Sequence, residues 1–125
     1  MLLVDVRKNW QTSLRHDLLG KWQSMAVPEQ RYTPILRGAY RNDTSPMQIV
    51  SGPYGREKIH YEAPPATQVP DEMARLIDWY NQTSPLSGDK TIPGIARAGI
   101  AHLWFEVIHP FDDGNGRVGR AIADH

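Results

Sequence analysis

The densest chemistry in the sequence lies between His109 and Arg120, which reads His-Pro-Phe-Asp-Asp-Gly-Asn-Gly-Arg-Val-Gly-Arg. An imidazole, two carboxylates, a Gly-Asn-Gly turn and two guanidiniums follow one another there, a mixture that packing alone does not require. Gly114, Asn115 and Gly116 precede residues with helical spacing, Val118, Ala121 and Ile122. Consecutive backbone N–H groups at a helix N-terminus make a concave anion site. Glycine permits close approach of a phosphate, and Asn115 can add a side-chain donor. Taken alone, Gly-Asn-Gly reads more simply as a turn. Arg117 and Arg120 share a helical face just behind it. Two guanidiniums beside an anion nest suit a polyphosphate better than one phosphate; an ordinary solvated face, with Arg120 pairing to Asp124, is the simpler reading of either arginine by itself.

Asp113 adjoins the nest, where a bare carboxylate would repel phosphate. Mg²⁺ is commonly held by one or two carboxylates plus phosphate oxygens, so Asp113 is the candidate metal ligand; a helix cap is the plainer role, which Asp112 could equally fill. Asp112 has no assigned role. His109 precedes Pro110, which turns the chain, and an imidazole titrating near neutrality can accept a proton from an attacking hydroxyl. Stabilising a helix C-terminus is its ordinary alternative. Phe111 reads as the apolar pin of the loop. Base, cation ligand, anion nest and charge clamp together match phosphoryl or nucleotidyl transfer, which needs positioning and electrostatics more than covalent catalysis.

The rest of the composition narrows the field. The chain has 125 residues, 14 basic and 14 acidic, so no global field draws nucleic acid or anionic membrane. There is no cysteine, which excludes disulfides and thiolate metal sites and fits a cytoplasmic setting. No apolar run approaches the roughly 20 residues of a membrane span, and the N-terminus does not read as a signal peptide.

Several elements are expected to position the loop. Leu3, Val6 and Trp10 predict one helical face over Leu2 to Trp10. After a break, Thr12 or Ser13 is expected to cap a second helix running to about Met25 with Leu14, Leu18 and Trp22 in register. His16-Asp17 reads as an exposed helix face, and Pro28 to Arg37 as a loop. Two alternating runs, Met47 to Gly52 and Glu57 to Glu62, flank the turn residues Pro53 to Arg56 and predict a β-hairpin. Pro64-Pro65 closes its second strand. A proline and acids start a helix at Val69, with Met73, Leu76, Ile77 and Tyr80 as its stripe. Asn81 to Thr91 reads as a linker. Pro93 opens a further helix whose apolar residues Ile95, Ala98, Ile100, Leu103, Trp104, Val107 and Ile108 lie on nearly every side, which predicts a central buried helix with His102 as a satisfied core histidine. The fold class is mainly α with one hairpin.

At this point a family likeness emerges. His109 to Arg120 resembles, at every defined position, the signature of the Fic (filamentation induced by cAMP) family. Residues 47–63 look like its flap hairpin, Val69 to Tyr80 and Pro93 to Ile108 like its core helices, and residues 1–37 like the helical leader of a bacterial subgroup ahead of a core at 38–125. The resemblance implies a protein adenylyltransferase that moves AMP from ATP, with Mg²⁺, to a Ser, Thr or Tyr hydroxyl of a target protein. It makes His109 the base, Asp113 the metal ligand, and Gly114, Asn115, Gly116 and Arg117 the phosphate-binding part, with Arg120 on the γ-phosphate. Met47, Gln48, Ile49, Val50, Ser51 and Gly52 would dock an extended target segment by strand addition. Doc-like toxins, which phosphorylate their targets, carry lysine where this chain has Gly116, so AMP transfer is favoured. A non-catalytic nucleotide-binding or interaction fragment and a de-AMPylating phosphodiesterase are the alternatives. Many members carry an inhibitory helix with Ser or Thr, three residues, Glu, then Gly or Asn. None of the glutamates here has that context, so such a helix is expected outside this sequence, on a partner chain, or not at all. The helix after the loop is likewise expected to continue past His125.

Overall fold

The computed structural model describes residues 2–8, 10–28, 35–56, 58–85 and 92–125. In chain order these form α1 (Leu2–Lys8), α2 (His16–Ala26), β1 (Gln48–Ser51), β2 (Lys58–Glu62), α3 (Val69–Gln82), α4 (Gly94–Ile108) and α5 (Asn115–Asp124). The fold is mostly helical with one small hairpin, as the sequence patterning predicts. Most of the anticipated loop between Pro28 and Arg37, the later part of the linker (residues 86–91) and Glu57 lie outside the described residues.

One core joins the helices. Val6, Leu14, Leu18 and Trp22 meet Met73, Leu76, Ile77 and Tyr80 of α3, Ala101, Phe105 and Ile108 of α4, and Val118, Ala121 and Ile122 of α5. The stripe anticipated on α3 is therefore the buried one, and Pro70 with Asp71 and Glu72 occupies its first turn. Leu14, Leu18 and Trp22 are buried as their spacing predicts, but neither Thr12 nor Ser13 caps α2. The helix starts later, with Arg15 extended in the cap position and no side-chain cap. Leu14 explains the delay. Its N–H donates to Asn81 Oδ1 and its carbonyl accepts from Asn81 Nδ2, both at 2.9 Å. That bracket holds Leu14 ahead of the helix with its side chain buried.

The first helix is shorter than expected. It ends at Lys8, which leaves Trp10 off the helix and 54% exposed, and Leu3 is 40% exposed; Val6 alone of that face is buried. Beside buried Val6, polar bonds dock α1. Asp5 accepts from Lys21 Nζ and Trp22 Nε1, each at 2.9 Å.

The larger correction concerns α4. It is apolar on nearly every side but buried on one. Ala101, Phe105 and Ile108 face the core, whereas Ile95 is 92% exposed and Leu103 67% exposed, with Ile100 and Val107 partly so. An apolar surface is excluded from water only where another element covers it, and α3 and α5 cover a single stripe of α4.

The hairpin is antiparallel, with Gln48 opposite Glu62 and Ser51 opposite Lys58, and the register slips between Ile49 and Val50. Such a bulge bends and twists the strand. Gly52 and Gly55 take positive φ in the turn. A lone hairpin is marginal in water, and this one is tied down at its root. Tyr61 Oη donates to the Val107 carbonyl at 2.7 Å, and Ala63 N–H donates to the Met47 carbonyl at 2.8 Å.

Candidate active site

The loop between α4 and α5 is built by a strained residue, an internal clasp and two braces. His109 caps α4 in the left-handed region, φ 51° and ψ 60°, a conformation that costs a non-glycine residue of order 1–3 kcal/mol. Arg41 offsets that cost. This buried side chain donates through Nε to the His109 carbonyl at 2.7 Å and through Nη2 to the Ile108 and Pro64 carbonyls at 3.1 and 2.6 Å. The Arg41 N–H also donates to the Pro110 carbonyl. The end of α4 and the root of the hairpin are thus held by one guanidinium. Burial pushes the Arg41 pKa down, while Asp112 and Tyr61 oppose that shift.

Phe111 is the anticipated pin, fully buried against the rings of Tyr40 and Phe105. Asn115 closes the loop over it. Its Oδ1 accepts the Phe111 N–H at 2.9 Å and its Nδ2 donates to the Phe111 carbonyl at 2.8 Å. The side-chain donor of Asn115 is therefore spent inside the loop, and what Asn115 can offer an anion is its backbone N–H in the first turn of α5. Gly114, at φ 81°, is the turn residue proper, and a Cβ there would sit 2.7 Å from Val27 Cγ2. Gly116 differs: a Cβ there would meet nothing within 4 Å.

From the other side α2 braces the loop. Gln23 is buried and donates through Nε2 to the Asp113 and Leu36 carbonyls at 3.2 and 3.3 Å, while its Oε1 accepts the Gly38 N–H. Arg117 donates to the Ala26 carbonyl at the end of α2.

His109, Asp112, Asp113, Gly114, Asn115, Gly116, Arg117 and Arg120 line one cleft of about 310 Å³. All the residues predicted for base, cation and phosphate are brought together there. The flap residues are not among them: Gln48, Ile49, Val50 and Ser51 form β1, flanked by Met47 and Gly52, and lie off this cleft. Asp112 proves structural, accepting the Leu36 N–H at 3.0 Å. Asp113 accepts the Gly114 N–H at 2.8 Å, which fixes an exposed carboxylate at the rim. Among the described residues no group of three or more His, Cys, Asp or Glu side chains could hold a metal. A cation at Asp113 would draw its other ligands from phosphate and water, which suits Mg²⁺. The described Arg120 makes no ion pair with Asp124, and both arginines border the cleft. His16-Asp17 stays on an exposed face, with His16 Nδ1 2.6 Å from Tyr40 Oη.

This loop and its helices match the model of the Fic/DOC family across residues 13–125. The chain belongs to the Fic/DOC family. A protein of Aquifex aeolicus named as a probable protein adenylyltransferase is 42% identical over 62 residues, half of this chain and 18% of that protein. Protein adenylyltransferase fic-1 of Caenorhabditis elegans is 43% identical over 54 residues, 43% of this chain and 10% of that protein. The Fic-family chain therefore spans less than a fifth of these two relatives. Among solved structures, a Fic domain containing signaling protein from Bacteroides thetaiotaomicron superposes with a TM-score of 0.79 over 98% of this chain and 42% of its own, at 20% identity, a likeness of fold. A Fic family protein from Desulfovibrio desulfuricans gives 0.66 at 30% identity, covering 97% of this chain and 32% of that one.

Arg41, Gln23 and Glu106 were not singled out from the sequence. Arg41 and Gln23 act on backbone carbonyls distant in sequence, and no local spacing marks such partners. Glu106 does carry a local signal. It stands one turn before His109 and one turn after His102 on a helix, within reach of both. His102 is not a core residue: it is half-buried, with Nε2 3.4 Å from Glu106 Oε1.

Proposed function

We propose that this chain carries the catalytic domain of a protein adenylyltransferase, which moves AMP from ATP to a hydroxyl side chain of a target protein. The observation that carries the reading is the convergence of His109, Asp113, the first turn of α5 and Arg120 on a single cleft. In the proposed reaction His109 takes the proton of the target hydroxyl. The hydroxyl oxygen bonds to the α-phosphorus, and the bond from that phosphorus to the β-phosphate oxygen breaks, releasing pyrophosphate. The N–H groups of Asn115, Gly116 and Arg117 at the start of α5 bind phosphate oxygens, aided by the helix dipole, and Arg120 takes the γ-phosphate. Mg²⁺ held at Asp113 would neutralise charge on the phosphates. Gly116 supports AMP transfer over phosphorylation, because the fold does not demand glycine there and the space beside it suits a triphosphate.

The target segment is proposed to add along β1, from Met47 to Gly52, as a further strand. A bacterial cytoplasm is the proposed setting, supported by the cysteine-free sequence and by the Aquifex relative. No described helix is long and apolar enough to cross a membrane.

ATP labelled at either the α- or the γ-phosphate, incubated with the chain, Mg²⁺ and a lysate, tests the reading. Protein should acquire the α-label and not the γ-label, and His109→Ala should abolish it. ATP binding by calorimetry without any label on protein would point instead to a nucleotide-binding module.

A further inference from the structure

Glu106 and His109 stand one turn apart at the end of α4, and each has an unusual neighbourhood. His109 Nδ1 is the buried side-chain nitrogen or oxygen that has no hydrogen-bond partner among the described residues. Buried polar atoms are rarely left so, because the loss of water costs about 1–3 kcal/mol. The polar atom facing it is Glu106 Oε2, 4.0 Å away. A hydrogen bond needs roughly 2.7–3.2 Å, so a modest side-chain rotation closes the gap.

Two other neighbours border the carboxylate. Its second oxygen, Oε1, lies 3.4 Å from His102 Nε2 on the preceding turn. Across the interface, α5 presents Gly119, where a Cβ would stand 2.8 Å from Glu106 Oε1 and 2.9 Å from His102 Cδ2. Gly119 has no positive φ, so its glycine is explained by the slot it leaves for the Glu106–His102 pair. Neither Glu106 nor Gly119 belongs to the phosphate cleft or binds the loop backbone.

We propose that Glu106 is a positioning residue for His109. It accepts the Nδ1–H of a neutral imidazole, which leaves the Nε2 lone pair directed at the substrate side of the cleft. The logic is that of a carboxylate that fixes the tautomer and orientation of a histidine base without itself taking the proton. The inference rests on the reading of His109 as the proton acceptor, and it adds where that histidine gets its tautomer and who holds the holder.

The test separates the two claims by using one readout independent of turnover. Nitrogen-15 NMR of imidazole-labelled chain should show His109 in the Nδ1–H form in the wild type. In Glu106→Ala it should shift toward the Nε2–H form that free imidazole favours. Alanine is the best helix former, so the fold should survive, and a thermal melt verifies it. In the labelled-ATP assay, kcat of Glu106→Ala should fall about ten- to a hundredfold with KM for ATP changed less than about twofold. Glu106→Gln, which keeps an acceptor, should lie between. An unchanged His109 tautomer in Glu106→Ala would overturn the proposal, as would an equal change in KM. If the wild type proves inactive while the tautomer responds to Glu106, the adenylyltransferase reading fails and the Glu106–His109 coupling stands.

Discussion

The guanidinium of Arg41 donates through Nε to the carbonyl of His109 at 2.7 Å, a bond between residues 68 positions apart in sequence. The same side chain reaches the Ile108 and Pro64 carbonyls. Removing it leaves buried carbonyls unpaired and releases a strained residue. Arg41→Ala should destabilise the fold by about 2–4 kcal/mol. Lysine lacks the planar fork, so Arg41→Lys should recover little. Urea unfolding measures both, and labelled-ATP turnover should fall in either variant because His109 loses its anchor.

Asn115 closes the loop by using both ends of its amide on Phe111. Asn115→Asp keeps the acceptor for the Phe111 N–H but replaces the donor by a second acceptor facing the Phe111 carbonyl. The cost should be about 2–3 kcal/mol at neutral pH. The melting temperature should recover partly on acidification, as protonation restores a donor. An Asn115→Asp variant as stable as the wild type would show that the amide does not carry the loop.

The two glycines that flank Asn115 should separate folding from binding. Gly114→Ala meets both a left-handed φ of 81° and Val27 Cγ2 at 2.7 Å. It should lose about 1–3 kcal/mol of stability. Gly116→Ala points into open space in the first turn of α5. Its stability should stay within about 1 kcal/mol of the wild type, since alanine favours helix. Its affinity for ATP, read by calorimetry, should drop because the methyl group enters the proposed triphosphate space.

The motif was legible because its parts are consecutive. Loop, nest and paired arginines need no tertiary contact to be recognised, and the stripe on α3 follows from spacing within one helix. What was hidden depends on partners. Arg41 and Gln23 act through carbonyls contributed by distant segments, Asn115 has a side chain whose direction the sequence does not reveal, and the end of α1 at Lys8 is a matter of local packing. The uniform hydrophobicity of α4 misled for a related reason. Periodicity shows which faces are apolar, and α4 has no polar face to mark the side that α3 and α5 leave uncovered.

A dependence on pH follows from Asp5. The hydrogen bond from Lys21, and after it that from Trp22, holds the Asp5 carboxyl below its usual 3.8. A depressed carboxyl pKa stabilises the fold above 3.8 and loses that contribution as pH falls through the lower folded value. The docking of α1 on α2 should therefore weaken in acid below 3.8. Stability measured against pH should fall less steeply in that window for Asp5→Asn than for the wild type. Identical acid limbs would remove Asp5 as the cause.

The two sides of α4 give the sharpest contrast in stability. Phe105 is fully buried against Phe111, so Phe105→Ala should cost about 3–5 kcal/mol. Leu103, two residues earlier, is 67% exposed, and Ile95 is 92% exposed. Leu103→Gln and Ile95→Lys remove little buried area, so each should change the unfolding free energy by no more than about 0.5 kcal/mol. Exposed apolar surface promotes association, so the double variant should stay monodisperse at higher concentration in light scattering. A loss of stability at Leu103 comparable to that at Phe105 would restore the expectation of a helix buried all round.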